Sequence, residues 1–474
     1  MTSPRRSLWR NPDFSKLWVA STISLFGTQV SQLAIPVVAV LILHAPAFQV
    51  ALLGTFEFLP FLLFTLPAGV WVDRLPRRRI LISGDLGRAV LLATIPIAYA
   101  LDALTIWQLY VVGFLVGICT VFFDVADQSY LPTVLERDEL IDGNGKLQAA
   151  ASTAQLLGPP TGGGVVALLT APFAVTLDAL SYLASAILIF AIRRQEKPAP
   201  NDPVGTGLEA TLESPSGAAS VAAESGVAAN SGVAAESGVA AESGALSGQA
   251  EAERPSVRRE VAEGLRFVLG HRHLRNIAAT TGSSNLFSNI LFAIFPVFAY
   301  VNLSLTPDTV GFIGGAFGAG ALLGAMIAGR VGERVGIGHT IVGSILLGSV
   351  ANLVFPLATH DSALWLIGGG GFFGGIAQVV YNVNQVSLRQ AICPERMLGR
   401  MNATMRFLVW GTIPIGQIIG GLVASAIPND PNAGTHAAIW VGAVGGLVAF
   451  LPVFFSPVRS LKRIPTPEEA AQPG

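Results

Sequence analysis

Carboxylates set inside long apolar runs are the residues of this chain best placed to do chemistry. Glu57 lies in Phe56-Glu57-Phe58-Leu59-Pro60, and Asp178 follows Leu177 in a second such run. Counted from the outer end of its run at 1.5 Å per residue, Glu57 falls roughly 14 Å into a bilayer, close to the midplane. Loss of water disfavours the ionised form of any acid, so a carboxyl at that depth either exchanges a proton or stays neutral as a hydrogen-bonded structural group. Asp178, about six residues into its run, is either a second proton-exchanging group or an acid solvated from the outer surface.

A second set of charges forms a hairpin, Gly69-Val70-Trp71-Val72-Asp73-Arg74-Leu75-Pro76-Arg77-Arg78-Arg79, between two apolar runs. A shorter echo stands at Gly329-Arg330-Val331-Gly332-Glu333-Arg334-Val335-Gly336. An unpaired carboxylate or guanidinium in apolar surroundings is very costly, so these charges belong at a membrane surface, paired or capping helix ends. Asp85 and Arg88, three apart and so on one helical face, are expected to pair with each other or with the hairpin.

The elements that position these groups follow from composition. The 474 residues are 51% hydrophobic and 12% charged, with 52 glycines and a mean hydropathy of +0.59. About a quarter of an ordinary soluble domain is charged, so the chain reads as a polytopic all-α membrane protein. A span takes roughly 20 apolar residues. Twelve runs meet that length, near 17–43, 48–72, 80–100, 105–130, 146–169, 172–192, 276–301, 309–329, 338–358, 362–388, 402–426 and 436–456. The run at 17–43 is too long for a signal peptide and is read as a retained first helix. None of the 29 Lys and Arg residues falls in the alternate loops at His44, Asp102, Ala171, Asn302 to Asp308, His360 or Pro428 to His436. All lie in the other segments or, like Arg88 and Arg406, near what would be the inner ends of helices. The distribution predicts cytoplasmic termini.

Between the sixth and seventh runs the pattern breaks. Residues 198–253 carry eight of the 30 acids and no Lys or Arg, which leaves the remainder net positive by seven. Ser225 to Glu242 repeats Ser-Gly-Val-Ala-Ala-Glu/Asn three times, too little apolar bulk to fold, so a disordered linker is expected over 193–257. Over 258–275, Val261, Leu265, Val268 and Leu269 recur at helical spacing beside Arg258, Arg259, Arg266, Arg272 and Arg275, a basic amphipathic helix expected to lie on the inner leaflet. The organisation is thus a six-helix half (1–192), linker, interfacial helix, a second six-helix half (276–458) and a cytoplasmic tail (459–474). Shifting the chain by 258 superposes Asn144 on Asn402, Gly158 on Gly416, and Gly162-Gly163 on Gly420-Gly421. The halves are copies of one unit.

Two charged hairpins at matching places in two six-helix repeats resemble the major facilitator superfamily, over nearly the whole chain apart from the linker. The segment Gly69 to Arg79 looks like that family's signature between helices two and three, with Pro76 where Gly is commoner. The resemblance implies a gate in which Gly69, Asp73, Arg74, Arg77 and Arg78, with Glu333 and Arg334 of the echo, hold the cytoplasmic side closed against acids of helix four. Asp124 and Asp127 match those acids. Gly158-Pro159-Pro160-Thr161-Gly162-Gly163 is similar to an element associated with proton-driven drug exporters, although Ala154 stands where an earlier Gly is usual and the arginine usual in helix four is missing from Tyr110 to Gly117. Pro bends a helix and Gly admits a close neighbour; Gly311, Gly314, Gly315, Gly318 and Gly324 are candidates for that neighbour. Ala68 to Arg74 and Tyr130-Leu131-Pro132 look most like bacterial macrolide and siderophore exporters. The resemblance implies a monomeric exporter rocking about a central cavity, with protons, lipids and a small lipophilic molecule as partners; uptake or uniport of a metabolite, a lipid flippase and a non-transporting receptor or scaffold are the alternatives. Glu57 and Asp178, from their depth, are the expected proton-coupling groups.

Gln29, Gln32, Asn285, Asn289, Asn382 and Gln385, with Asn384, supply uncharged polar faces that either line a cavity or bond between helices. Phe56, Phe58, Phe61 and Phe64 suit a lipophilic ligand or lipid packing equally. No Gly-x-x-x-x-Gly-Lys-Ser/Thr occurs, the six histidines form no ligand cluster, and Cys119 and Cys393 belong to no paired motif. Nothing here points to ATP hydrolysis, a cofactor, a metal, nucleic acid or enzymatic chemistry.

Overall fold

The computed structural model describes residues 8–72, 75–136, 139–193, 257–394 and 397–463. Asp73, Arg74 and the expected linker and tail lie outside or largely outside these residues. The first six long helices are α1 (Pro12–Val37), α2 (Ala47–Val72), α3 (Arg77–Ala100), α4 (Ile106–Val134), α5 (Leu140–Leu169) and α6 (Ala171–Phe190). After them come α7 (Val257–Gly270), α8 (Arg272–Val297), α9 (Pro307–Val335), α10 (Ile337–Asn352) and α11 (Ala363–Ile392). The next span of the second half is split at Gly411 into α12 (Leu398–Trp410) and α13 (Thr412–Ser425), and α14 (Pro431–Val448) and α15 (Leu451–Phe454) close the chain. Among the described residues there are no strands, and eleven helical segments are long and apolar enough to cross a membrane. The run expected at 146–169 is the thirty-residue α5, whose apolar character is diluted by Gln155, Pro159, Pro160, Thr161 and the glycines at 158 and 162–164.

Local chemistry starts these helices where polar residues interrupt the apolar runs. Asn11 caps α1 by accepting from the backbone N–H groups of Asp13 (3.1 Å) and Phe14 (3.2 Å), with Pro12 at the first helical position. Asp430 caps α14 in the same way through Ala433 N–H at 3.0 Å, again with Pro next. The interfacial helix is shorter than 258–275: α7 stops at Gly270, His271 is extended (φ −86°, ψ 117°), and Arg272 and Arg275 open α8 instead. Val268 of α7 is fully buried, and Gly264 abuts Thr404 and the Arg400 carbonyl of α12. A Glu263–Arg400 ion pair of 2.8 Å fixes that contact.

The duplication reaches the backbone. Pro36 and Pro296 each precede a π-helical turn, Val38–Ile42 and Phe298–Asn302. Leu43 N–H donates to Val38 O (3.0 Å) and Leu303 N–H to Phe298 O (2.9 Å), and a left-handed residue, His44 or Ser304 at φ 50°, turns the chain. Proline leaves one carbonyl a turn earlier without its helical donor and bends the chain, and the wider turn follows it in both halves. The two turns touch one another.

Packing divides the molecule unevenly along its length. The arginines gather at one end, the basic end. At the opposite end a single apolar cluster unites both halves, running from Val37, Val38 and Ala51 to Val297, Phe298 and Ile439. Toward the basic end there are two separate clusters instead. One, built around Phe14, Leu81 and Tyr130, belongs to the first half. The other, built around Ile277, Ile341 and Met401, belongs to the second. The halves are therefore joined at the far end and parted at the basic end, and the cleft between them opens there.

Candidate functional site between the two halves

Two seams flank the cleft. On one, α5 crosses α9 backbone to backbone: a methyl added at Gly163 would lie 2.5 Å from the Pro307 carbonyl, and one at Gly311 would lie 2.4 Å from that of Pro159. Gly314 and Gly315 receive the rings of Pro159 and Pro160, and Gly318 lies on Gln155 and Leu156. Four of the five expected glycines thus face α5; Gly324 faces Ile376 and Val379 of α11 instead. Gly158 and Gly162 turn toward Gln29 and Val30 of α1. Their repeat partners do the same in the second half, Gly416 against Asn289 and Gly420 against Ile290 of α8, and Gly421 meets Phe48 and Ala51 of α2. On this second seam the contacts are aromatic as well, with Phe61 and Trp410 centroids 6.2 Å apart.

Glu57 is exposed, and helix geometry says where. Along α2, Gly54 and Phe61 face α13 and α12, while Phe56 stacks on Tyr110 of α4 at 5.0 Å and Pro60 meets Gly117. At about 100° per residue Glu57 falls between these two stripes. The outward face, Leu62 and Leu63, lies on the other side. Glu57 therefore looks into the cleft. Asp124 does so from α4, on the side left between the residues that meet α2 (Tyr110, Gly117) and those that meet α3 (Cys119, Phe123). Gly113 shares that side, and a methyl there would meet nothing within 4 Å.

The other acids are placed differently. Asp178 is 1% exposed, and Ser181 Oγ donates to its Oδ1 at 3.1 Å. A methyl at Gly27 of α1 would stand 2.6 Å from that oxygen, so Asp178 is packed between α6 and α1 rather than solvated from the outer surface. Asp85 pairs with Arg88 at 2.5 Å, both almost wholly buried. The Arg88 guanidinium lies 4.2 Å from the rings of both Phe123 and Tyr182. Asp127 sits in the field of this pair. Arg88 is the twelfth residue of α3, about 16 Å from its start, which corrects its expected place near an inner end.

The hairpin arginines bind helix ends. Arg77 Nη1 donates to the Ser129 carbonyl of α4 at 3.4 Å, and Arg78 donates to the carbonyls of Ile189 (3.3 Å) and Phe190 of α6. These are acceptors near the ends of their helices, where a cation also meets the negative end of the helix dipole. Neither reaches Asp124 or Asp127, and with the halves parted at this end neither reaches the second half. Gly69 lies in the last turn of α2, and Glu333 and Arg334 lie at the end of α9, with Arg334 exposed.

The amides divide. Asn384 donates to Ala328 O (3.2 Å) and Val380 O (2.9 Å), tying α11 to α9. Asn285 donates to Val409 O (3.3 Å) and Asn289 to Asn285 O (2.8 Å), at the α8 contact with α12 and α13. Asn382 and Gln385 are buried in α11, whereas Gln29 and Gln32 are half-buried. Two cleft-side groups are not evident from sequence: Gln417, against Gly54, and Arg406, whose guanidinium stands 5.3 Å from the Trp410 ring.

Comparison with known proteins agrees with this geometry. Residues 5–227 match the family described as transmembrane secretion effector, and residues 277–473 match the Major Facilitator Superfamily. The chain is 25% identical over 416 residues to the multidrug efflux pump Tap of Mycolicibacterium fortuitum, covering 85% of this chain and 86% of that one. It is 20% identical over 415 residues to macrolide efflux protein A of Streptococcus pyogenes, covering 87% and 90%. Its fold is similar to the crystal structure of a bacterial homologue of the iron transporter ferroportin in an inward-facing state, with a TM-score of 0.67, 13% identity, and 95% and 99% of the two chains covered. Two six-helix repeats about an open cleft, matched over both halves, make this multi-pass membrane protein a member of the major facilitator superfamily.

Proposed function

We propose that the protein is a monomeric secondary exporter that moves a small lipophilic compound, of the drug or macrolide class, outward across the cell membrane against proton entry. The observation that carries this is Glu57, an exposed acid on the cleft side of α2 with Phe56, Phe58 and Phe61 around it. The names of the efflux relatives support the cargo class. On this reading the basic end and both termini are cytoplasmic, lipids surround the spans, and the cleft open at the basic end is the inward-open state. Glu57 gives up its proton inside and accepts one outside, while Asp178 stands second in line. Arg77 and Arg78, with Asp73, Arg74, Asp124, Asp127, Glu333 and Arg334, reorganise to close the basic end in the alternate state.

The test measures proton release in inside-out vesicles acidified by respiration while antibiotics and dyes are added, with wild type beside Glu57→Gln. Cargo-triggered release in wild type and its loss in Glu57→Gln are expected. Equal release in both would move coupling away from Glu57. Cargo flux without proton movement would replace antiport by uniport.

A further inference from the structure

Arg406 occupies a place that the proposed function does not use. It is the ninth residue of α12, about 12 Å along that helix and half-buried. The join to α13 stays helical at Gly411 (φ −59°, ψ −21°), so one wheel describes both pieces. Trp410, Gln417 and Gly421 form the stripe against α2, while Val409, Gly416 and Gly420 form the stripe against α8. At about 100° per residue Arg406 falls between them and faces the cleft. Its guanidinium leans on Trp410, which leans on Phe61 of the opposite half. Across the cleft, the Asp124 carboxylate acts on it electrostatically. A guanidinium inside a span is costly without a counter-charge, and the acid that answers it belongs to the other half.

We infer that Arg406 is a positioning residue of the transport cycle, forming with Asp124 a charge pair that spans the two halves inside the cleft. The inference rests on the export reading. With both charges present the pair ties α12 to α4 in this state and must be remade as the halves rock. With one removed, the other is stranded in the cleft, and the halves cannot close over it without desolvating it. With both removed, that obstacle disappears.

The experiment compares wild type, Arg406→Gln, Asp124→Asn and the double variant, each purified and reconstituted. Two rates are read on every preparation with a cargo that wild type exports: pH-gradient-driven flux and exchange without a gradient. Taking their ratio cancels differences in the amount of folded protein. Each single variant is expected to lose at least tenfold in driven flux and to lower the ratio. The double variant should recover at least threefold over the slower single. Losses that multiply in the double, or ratios unchanged in the singles, would overturn the pairing. If wild type moves no compound, the export reading itself has failed, and the same four proteins are compared by thermal unfolding midpoint. There, a double variant more stable than the sum of the single shifts predicts supports the pair, and additive shifts overturn it.

Discussion

Gly163 and Gly164 are adjacent on α5, and the structure predicts opposite responses to the same substitution. A methyl at Gly163 would stand 2.5 Å from the Pro307 carbonyl oxygen, 3.0 Å from Gly311 Cα and 3.1 Å from Asp308 Cα, whereas at Gly164 it would meet nothing within 4 Å. Carbon atoms rest about 3.5–4.0 Å apart, so Gly163→Ala forces α5 and α9 to separate by roughly 0.5–1 Å. The obstructing atoms are backbone and cannot rotate away. Overpacking of this kind costs about 1–3 kcal/mol, and at about 2–4 °C per kcal/mol for a unit the size of one half the midpoint should fall by about 2–12 °C. Gly164→Ala meets no neighbour and removes a glycine from a helix, so it should be neutral or slightly stabilising. Thermal unfolding of the purified protein in detergent, with flux measured on the same preparations, reads both. Equal midpoints for the two variants would refute the seam as described. A fall in Gly164→Ala alone would show that the face of α5 has been misplaced.

Two further outcomes are expected. The Asp85–Arg88 pair is buried and sandwiched by Phe123 and Tyr182, so Arg88→Ala should cost about 3–5 kcal/mol by stranding Asp85. Asp85→Ala with Arg88→Ala together should yield more folded protein than Arg88→Ala alone in size-exclusion profiles, and a double variant worse than either single would contradict this. His271, between α7 and α8, is held below its ordinary range, first by burial and then by the Arg272 charge, and its Nδ1 is buried without a hydrogen-bond partner. The unfolded chain then binds the proton more readily than the folded one, so stability is present above the ordinary histidine value and is lost as pH falls below it. Unfolding midpoints should decline from pH 7 to pH 5, and His271→Gln should make that decline shallower, with the neighbouring His273 left to supply the remainder.

The helices and their duplication were legible because their signals are local. Apolar length marks a span whatever it packs against, and a glycine row is visible before its neighbour is known, which is why Gly311, Gly314, Gly315 and Gly318 could be matched to α5 in advance. Glu57 was legible for the same reason, as an acid in an unbroken apolar run. Arg88 and Arg406 were not. Their depth depends on Asp85, Phe123, Tyr182, Trp410 and Asp124, several of them far away in sequence, and without those partners an arginine is most reasonably placed near a surface. Nor could sequence assign the acceptors of Arg77 and Arg78, because the carbonyls of Ser129, Ile189 and Phe190 belong to helix ends and not to side-chain chemistry. The paired π-helical turns do leave a trace in the sequence, since Pro36 and Ala39 stand 260 residues before Pro296 and Ala299, the same separation as Asp73 and Glu333.

The unlike flanks of the cleft bear on how such a protein changes under selection. Where α5 meets α9, main chain rests on main chain at Gly163, Gly311 and Gly318 and proline rings fill the space over Gly314 and Gly315, so nearly every mutation of these glycines adds bulk where no volume is free. Where α2 meets α12 and α13, much of the contact is made by the side chains of Phe61, Trp410 and Gln417, which can be exchanged for smaller or differently shaped residues one at a time. On the proposed export function, heritable shifts in the range of compounds carried should therefore accumulate along the aromatic flank, while the glycine flank stays unchanged.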